Sequence, residues 1–302
     1  MSTGRRRMGV RFRVYRRIRT DPIAGVGALI VVASVAIALF SIVDDFLLSE
    51  RMISAVLHDP YAGDPSNRLA NPSFSHPFGT DEQGRDILAR VLYGTRTSII
   101  VGVGAVTFAA LVGVSLGIVT AYYDGLVDSI GMRAMDVLLA FPAILLAIAL
   151  LASLGRGFTS IILALGVAYV PSFARVTRSK ALSVKSEEYV TAAEVMGYPD
   201  YSVLRDEILP NCVTPIIVQS TFSLAVAIIA EAGLSFLGLG VTPPTPTWGI
   251  MLSTAQQYIT TAWWYSLFPG LAIMVTVLGY NLLGDSIRDV LDPQSSDGNR
   301  RL

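Results

Sequence analysis

Charge is scarce in this chain. Only 15% of its 302 residues are Asp, Glu, Lys or Arg, while 52% are hydrophobic. A soluble domain carries roughly 25% charged residues, so the shortfall argues for a membrane class before any motif is read. Lysine is almost missing, with Lys180 and Lys185 the only two, and arginine carries the positive charge. The 23 basic residues balance 23 acidic ones, so no overall field points to nucleic acid or to an acidic partner. One cysteine, Cys212, excludes an intrachain disulfide. The two histidines, His58 and His76, are too few for a thiolate or imidazole zinc cage, and no metal site is expected. No nucleophile paired with a base recommends an enzyme either.

What is present is a series of long apolar runs. A bilayer core of about 30 Å needs about 20 apolar residues in helical form, because lipid cannot satisfy open backbone groups. Six stretches fit: 23–43, 98–122, 137–154, 159–174, 212–230 and 265–284. The first follows an arginine-rich leader, but it exceeds the h-region of a signal peptide and reads as an uncleaved span. None of the six contains Asp, Glu, Lys, Arg or His, with Glu231 and Asp285 just beyond span ends. Ion-coupled carriers commonly keep an ionisable residue at membrane depth, so this chain lacks an obvious engine of its own.

The basic residues set the orientation. With the N-terminus inside, the inner segments collect Arg5, Arg6, Arg7, Arg11, Arg13, Arg16, Arg17 and Arg19, then Arg133, Arg175, Arg178, Lys180, Lys185, Arg205, Arg288, Arg300 and Arg301. The outer segments keep Arg51, Arg68, Arg85, Arg90, Arg96 and Arg156. The inner excess predicts cytoplasmic termini. In the second span Gly113 and Gly117 stand four apart, which suits close helix packing, either inside the chain or at a subunit interface.

The inner segment 179–211 is polar but patterned. Ser186 is a candidate N-cap, Glu187 and Glu188 complement a helix start, and Gly197 suits the left-handed residue beyond a helix end. This predicts a helix over 187–196 with Tyr189, Ala193 and Met196 on one side. A turn at 198–200 follows, with Asp200 as cap, and then a second helix over 204–208 that Pro210 stops. The unit serves either as a partner-docking surface or as a connector under the bundle. A DNA-binding helix-turn-helix fails on charge, because six acidic residues from Glu187 to Glu207 outnumber Lys185 and Arg205.

At these residues the chain resembles the permease subunits of ABC importers, whose cytoplasmic loop reads Glu-Ala-Ala, three residues, Gly, then Ile-Leu-Pro. The matches are Ala192, Ala193, Gly197, Ile208, Leu209 and Pro210, while Thr191 stands where the motif has Glu, with Glu188 and Glu194 as candidate replacements. The resemblance implies that Glu188, Tyr189, Ala192, Ala193, Met196, Gly197, Ile208, Leu209 and Pro210 form a coupling element for an ATPase. The run from His76 to Asp86, then Arg90, Tyr93, Gly94, Arg96 and Ser98, is similar to the dipeptide, oligopeptide and nickel permease group, in the subunit type with the shorter external loop. Asp136, Phe141-Pro142, the run from Glu231 to Gly240 with Pro243, Pro244, Pro246, Trp248 and Gly249, and the run from Phe268 to Pro293 extend that likeness. Gly79 and Gly84 are spaced like a phosphate loop, but Arg85-Asp86 replaces the Lys and Ser or Thr such a loop requires.

The resemblance implies an all-α integral membrane protein with six transmembrane helices and the type I ABC importer permease fold. The divisions are a basic segment 1–22, a first helix 23–43, an extracytoplasmic loop 44–97, a five-helix core 98–285 holding the coupling loop 179–211, and a tail 286–302. It further implies transport of di- or oligopeptides, or of nickel or another small solute. Implied partners are a second related permease, two ATPase subunits that bind the ATP and Mg, an extracytoplasmic binding protein and membrane lipid. A self-sufficient secondary carrier is the rival class. Glycines and prolines over 233–246 predict a break in the fifth span, either a surface loop or part of a gate or mouth, with Glu231, Gly233, Ser235, Gly238 and Gly240 as candidate residues. Trp248, Trp263, Trp264 and Tyr265 read as an interfacial aromatic belt or a peptide-binding stack. Phe141-Pro142 reads as a kink or hinge in the third span.

Overall fold

The computed structural model describes residues 21–47 and 58–291. The arginine-rich leader, residues 48–57 with Arg51, and the tail with Asp292, Pro293, Arg300 and Arg301 lie outside the described residues. Helix α1 spans Pro22–Leu47, α2 Ile87–Tyr123, α3 Gly125–Leu139, α4 Ala143–Leu154, α5 Phe158–Lys185 and α6 Glu188–Val195. Then α7 spans Asp200–Phe236, α8 Trp248–Ala255 and α9 Trp263–Leu291. Among the described residues the β pairing is one isolated bridge between Thr80 and Asp86.

Helices α1, α2, α5, α7 and α9 are each long and apolar enough to cross a membrane, and α3 with α4 makes a sixth crossing if the bent pair counts as one. The third span is therefore not the continuous helix expected over 137–154. The chain turns by 90° between α3 and α4. Pro142 has no N–H to continue the ladder and disfavours helical backbone at Phe141, so the run breaks there and α4 starts afresh.

Helix α2 starts at Ile87, eleven residues before the expected start at Ser98. Asp86 caps it, accepting from the Ala89 N–H at 2.8 Å. At 37 residues it is about 55 Å long, well beyond the hydrocarbon thickness. Its first turns carry Arg90, buried against protein with its guanidinium donating to the Pro60 carbonyl at 2.8 Å. Absence of charge finds the apolar centre of a spanning helix and misses a polar end that packs on its own loop.

Helices α2 and α5 form the centre of the bundle, with α7 crossing both, α1 paired with α9, and α8 wedged between α7 and α9. The α2–α5 contact uses the glycines noted in the sequence. A Cβ on Gly113 would lie 2.6 Å from the Phe173 Cβ, and one on Gly117 would meet the Ala174 carbonyl and Thr177. The close approach is internal to the chain. Three apolar clusters stack along the bundle: Val190, Ala193, Ile208 and Cys212 with the ends of α2 and α5, then Ala105, Leu165 and Phe173 in the middle, then Ile87, Met251 and Trp264 at the other end.

The tryptophans are not a belt. Trp248 is 1% exposed and donates to the Val91 carbonyl at 2.9 Å, and Trp264 is 3% exposed and donates to the Thr80 carbonyl at 3.3 Å. Tyr265 is buried and donates to Glu82 at 2.7 Å, which leaves Trp263 as the surface ring of the four. Segment 58–86 folds back over the helix ends and covers Trp264, while Trp248 packs among Ile99, Ala225 and Ile228 of the bundle. Gly79, at φ +74°, admits this packing, since a Cβ there would lie 2.6 Å from the Trp264 ring.

Candidate functional site

One end of the bundle presents α6. The N-cap is Glu187, in extended conformation and without a side-chain hydrogen bond, and not Ser186, which ends α5 with its hydroxyl donating to the Ser183 carbonyl at 2.9 Å. The far end follows the expected chemistry. Gly197 stands at φ +76°, its N–H donates to Glu194 at 3.0 Å, and the Tyr198 N–H reaches back to Ala193 at 3.1 Å. This is a Schellman ending, which a residue with a Cβ adopts only under strain.

The buried face of α6 is Val190 with Ala193, three apart, set on Ile208, Cys212 and Val184. The expected face of Tyr189, Ala193 and Met196 is corrected accordingly. Ala193 turns inward, Tyr189 is 42% and Met196 68% exposed, and Ala192, Glu188 and Thr191 are open. Val195, Tyr198 and Tyr201 extend the exposed surface, each more than half exposed. Sequence reading missed Val190 as the anchor, although its spacing from Ala193 was the available signal. The Asn211 amide donates to the Tyr189 hydroxyl at 3.1 Å, and burial, then Glu187 and Glu207, push that phenol's pKa up, so it stays protonated near neutrality. Thr191 is flanked three residues either way by exposed Glu188 and Glu194, so a carboxylate borders the motif position on both sides.

Beyond Gly197 the chain does not stop at Pro210. Asp200 opens α7 without capping it and instead accepts from the Tyr122 hydroxyl at 3.1 Å. Residues Val203–Ile208 wind as a π turn, and the helix continues through Leu209 and Pro210 to Phe236. The wider turn pairs the Leu209 N–H with Leu204, five back, and the Asn211 side chain donates to the Glu207 carbonyl at 2.6 Å. Proline at the start of the resumed α-helix then costs little. Ile208 is buried under α6, while Leu209 and Pro210 are exposed. The segment after Pro199 and the fifth span are thus one continuous helix, Asp200–Phe236.

Basic residues of α5 clamp the neighbouring α3 and the end of α2. Arg178 grips the Asp128 carboxylate with two nitrogens, the second at 2.6 Å, Arg175 reaches Asp136 at 2.6 Å, and Lys185 donates to the Tyr122 carbonyl at 2.6 Å and to Asp124.

At the opposite end, Glu231 is fully buried inside α7, not beyond its span. Its carboxylate accepts from Ser98 of α2 at 2.9 Å and from Ser235 at 2.7 Å. The helix passes through Gly233 and Ser235 and ends at Phe236, later than the sequence suggested, with Gly238 at φ +76° as the left-handed residue. Gly240 and Gly249 then pack on Ser235 and Ala232 with no room for a Cβ. The irregular stretch lines two clefts. One of about 180 Å³ is bordered by Arg156, Ser235, Gly238 and Gly240, and one of about 510 Å³ by Tyr93, Arg96, Thr97, Phe158 and Pro244 to Pro246. Of the candidate gate residues, Glu231 and Ser235 form a tie to α2, Ser235, Gly238 and Gly240 border a cleft, and Gly233 is a half-buried helical residue.

Residues 113–297, which include α6 and the whole of α7, match the family described as the inner membrane component of binding-protein-dependent transport systems. The chain belongs to that family. The permease is 42% identical over 280 residues to a dipeptide transport system permease protein of Alkalihalophilus pseudofirmus, covering 93% of this chain and 88% of the relative. It is equally similar over 280 residues to a glutathione transport system permease protein of Escherichia coli, covering 93% and 89%. A di/tripeptide transport system permease protein of Pseudomonas aeruginosa is 42% identical over 216 residues, covering 72% and 71%. The permease is thus a multi-pass membrane protein with the helical architecture of its family.

Proposed function

We propose that this permease forms half of a translocation pathway for di- or oligopeptides, paired with a second related permease and driven by two ATPase subunits that dock on α6. The relatives named for dipeptide, glutathione and di/tripeptide transport support the substrate class. The observation that carries the coupling assignment is the exposed patch of Tyr189, Val195, Met196 and Tyr198 on a short helix anchored by buried Val190 and Ala193. Exposed apolar and aromatic side chains on an anchored helix suit a protein partner. ATP and Mg belong to that partner, and an extracytoplasmic binding protein delivers substrate to the face bearing the clefts. Both termini lie in the cytoplasm, in keeping with Arg133, Arg175, Arg178, Lys180, Lys185 and Arg205 gathered at the α6 end.

Force applied to α6 passes to α7 through the Val190, Ala193 and Ile208 contact, and along that helix to the Glu231–Ser98 tie and the clefts. Replacing Gly197 with Pro removes the N–H that bonds Glu194 and forbids φ +76°. The variant, and deletion of residues 187–196, should insert normally yet neither retain ATPase subunits on gentle solubilisation nor transport peptide. Transport that survives the deletion contradicts the coupling role.

A further inference from the structure

The chain contains two histidines in 302 residues, 18 apart in sequence, and the fold places both on one carboxylate. The rings of His58 and His76 lie 4.3 Å apart between centroids. His76 Nδ1 is 2.9 Å and His58 Nδ1 3.7 Å from Asp86 Oδ2. One donor atom from each of the three residues falls within 4.8 Å of the others. The Asp86 side chain is 0% exposed, that of His76 12% and that of His58 54%, so the cluster is buried at its base and open on one side.

We infer that His58, His76 and Asp86 form an extracytoplasmic site for a divalent transition ion of the zinc type, with water in the remaining position. Two imidazoles and a carboxylate around an open position are a zinc-type donor set, at odds with the expectation of no metal site. Donors around a tetrahedral zinc stand about 3.3 Å apart, given Zn–N near 2.0 Å. The observed 2.9 and 3.7 Å bracket that separation, and the two imidazole donors lie within 4.8 Å of each other.

The surroundings fix these donors in place. The other oxygen of Asp86 caps α2 through the Ala89 N–H at 2.8 Å, which orients the carboxylate as an outer hydrogen bond does in metal sites. Asp59 accepts from the Tyr61 and Ala62 N–H groups at 2.7 and 3.2 Å, and Arg90 holds the Pro60 carbonyl, so the backbone beside His58 is anchored. The nearby Arg85 and Arg90 face Asp81, at 2.7 and 3.4 Å, and Arg85 also reaches Glu82 at 3.3 Å, so two carboxylates offset the two charges. Bound metal clamps the segment starting at residue 58 to the first turn of α2.

The test is Zn2+ titration of the metal-stripped full-length chain in detergent, purified through a tag without histidine and read by calorimetry and X-ray absorption. No third histidine competes, and Cys212 is buried. A single Zn2+ per chain with two imidazoles in its coordination sphere is expected, and His58→Ala or His76→Ala should weaken it by more than about tenfold. His58 is half exposed, so its variant is the one that keeps the fold intact. Absence of saturable binding, or binding unchanged in His58→Ala, overturns the assignment.

Discussion

Two glycines of spanning helices, exchanged for the same residue, should respond with opposite sign. Gly113 sits in the α2–α5 contact, where a Cβ would lie 2.6 Å from the Phe173 Cβ and 2.6 Å from the Val170 carbonyl oxygen. Non-bonded carbons settle at about 3.5–4.0 Å, so Gly113→Ala forces the helices apart by about 1 Å, and backbone blocks the easy escape. A radial gap of that size forfeits a quarter to a half of each affected contact, and overpacking of this kind costs about 1–3 kcal/mol. Helix propensity returns up to about 1 kcal/mol, leaving a net loss of up to about 2 kcal/mol. Gly270 in α9 has nothing within 4 Å of its would-be Cβ and no positive φ, so Gly270→Ala should gain about 0.5–1 kcal/mol. Thermal unfolding in detergent, followed by exposure of the buried Cys212 to a thiol-reactive dye, reads both. Equal shifts for the two variants would refute the claim that the α2–α5 contact depends on the missing side chain.

Two further substitutions probe the polar ties. Glu231→Ala leaves the Ser98 and Ser235 hydroxyls without their acceptor and should cost about 2–4 kcal/mol in the same unfolding assay, whereas Glu231→Gln, which keeps an acceptor and adds a donor, should cost about 1 kcal/mol or less. Arg178→Lys should be nearly as damaging as Arg178→Ala, about 1 kcal/mol, because the ammonium cannot reproduce the two-nitrogen grip on Asp128. A double-mutant cycle with Asp128→Ala should then show that the two losses do not add.

The spans were legible because the bilayer imposes a long apolar run that few other structures need. Gly197 was legible for a similar reason, since a left-handed residue after a helix has few candidates, and φ +76° agrees. The 90° bend at Phe141-Pro142 was visible only as a proline, because the local sequence does not say whether neighbours will support a kink or a break. The length of α2 and the interior place of Glu231 were hidden by reading charge as an end of span. Arg90 and Glu231 are satisfied by partners distant in sequence, Pro60 and Ser98. The tryptophans failed likewise, because amphipathic rings suit either a lipid interface or a folded loop, and only the fold of residues 58–86 decides. Pro210 misled because a π turn upstream removes the penalty that makes proline a terminator.

Reconstitution tests the central claim most directly. The permease is placed in liposomes with the proposed second permease and ATPase subunits, ATP is enclosed inside, and labelled dipeptide and binding protein are added outside. Accumulation that needs ATP and disappears when residues 187–196 are deleted from this chain is the predicted result. Accumulation by this chain alone, without any ATPase and driven by an ion gradient, would contradict it.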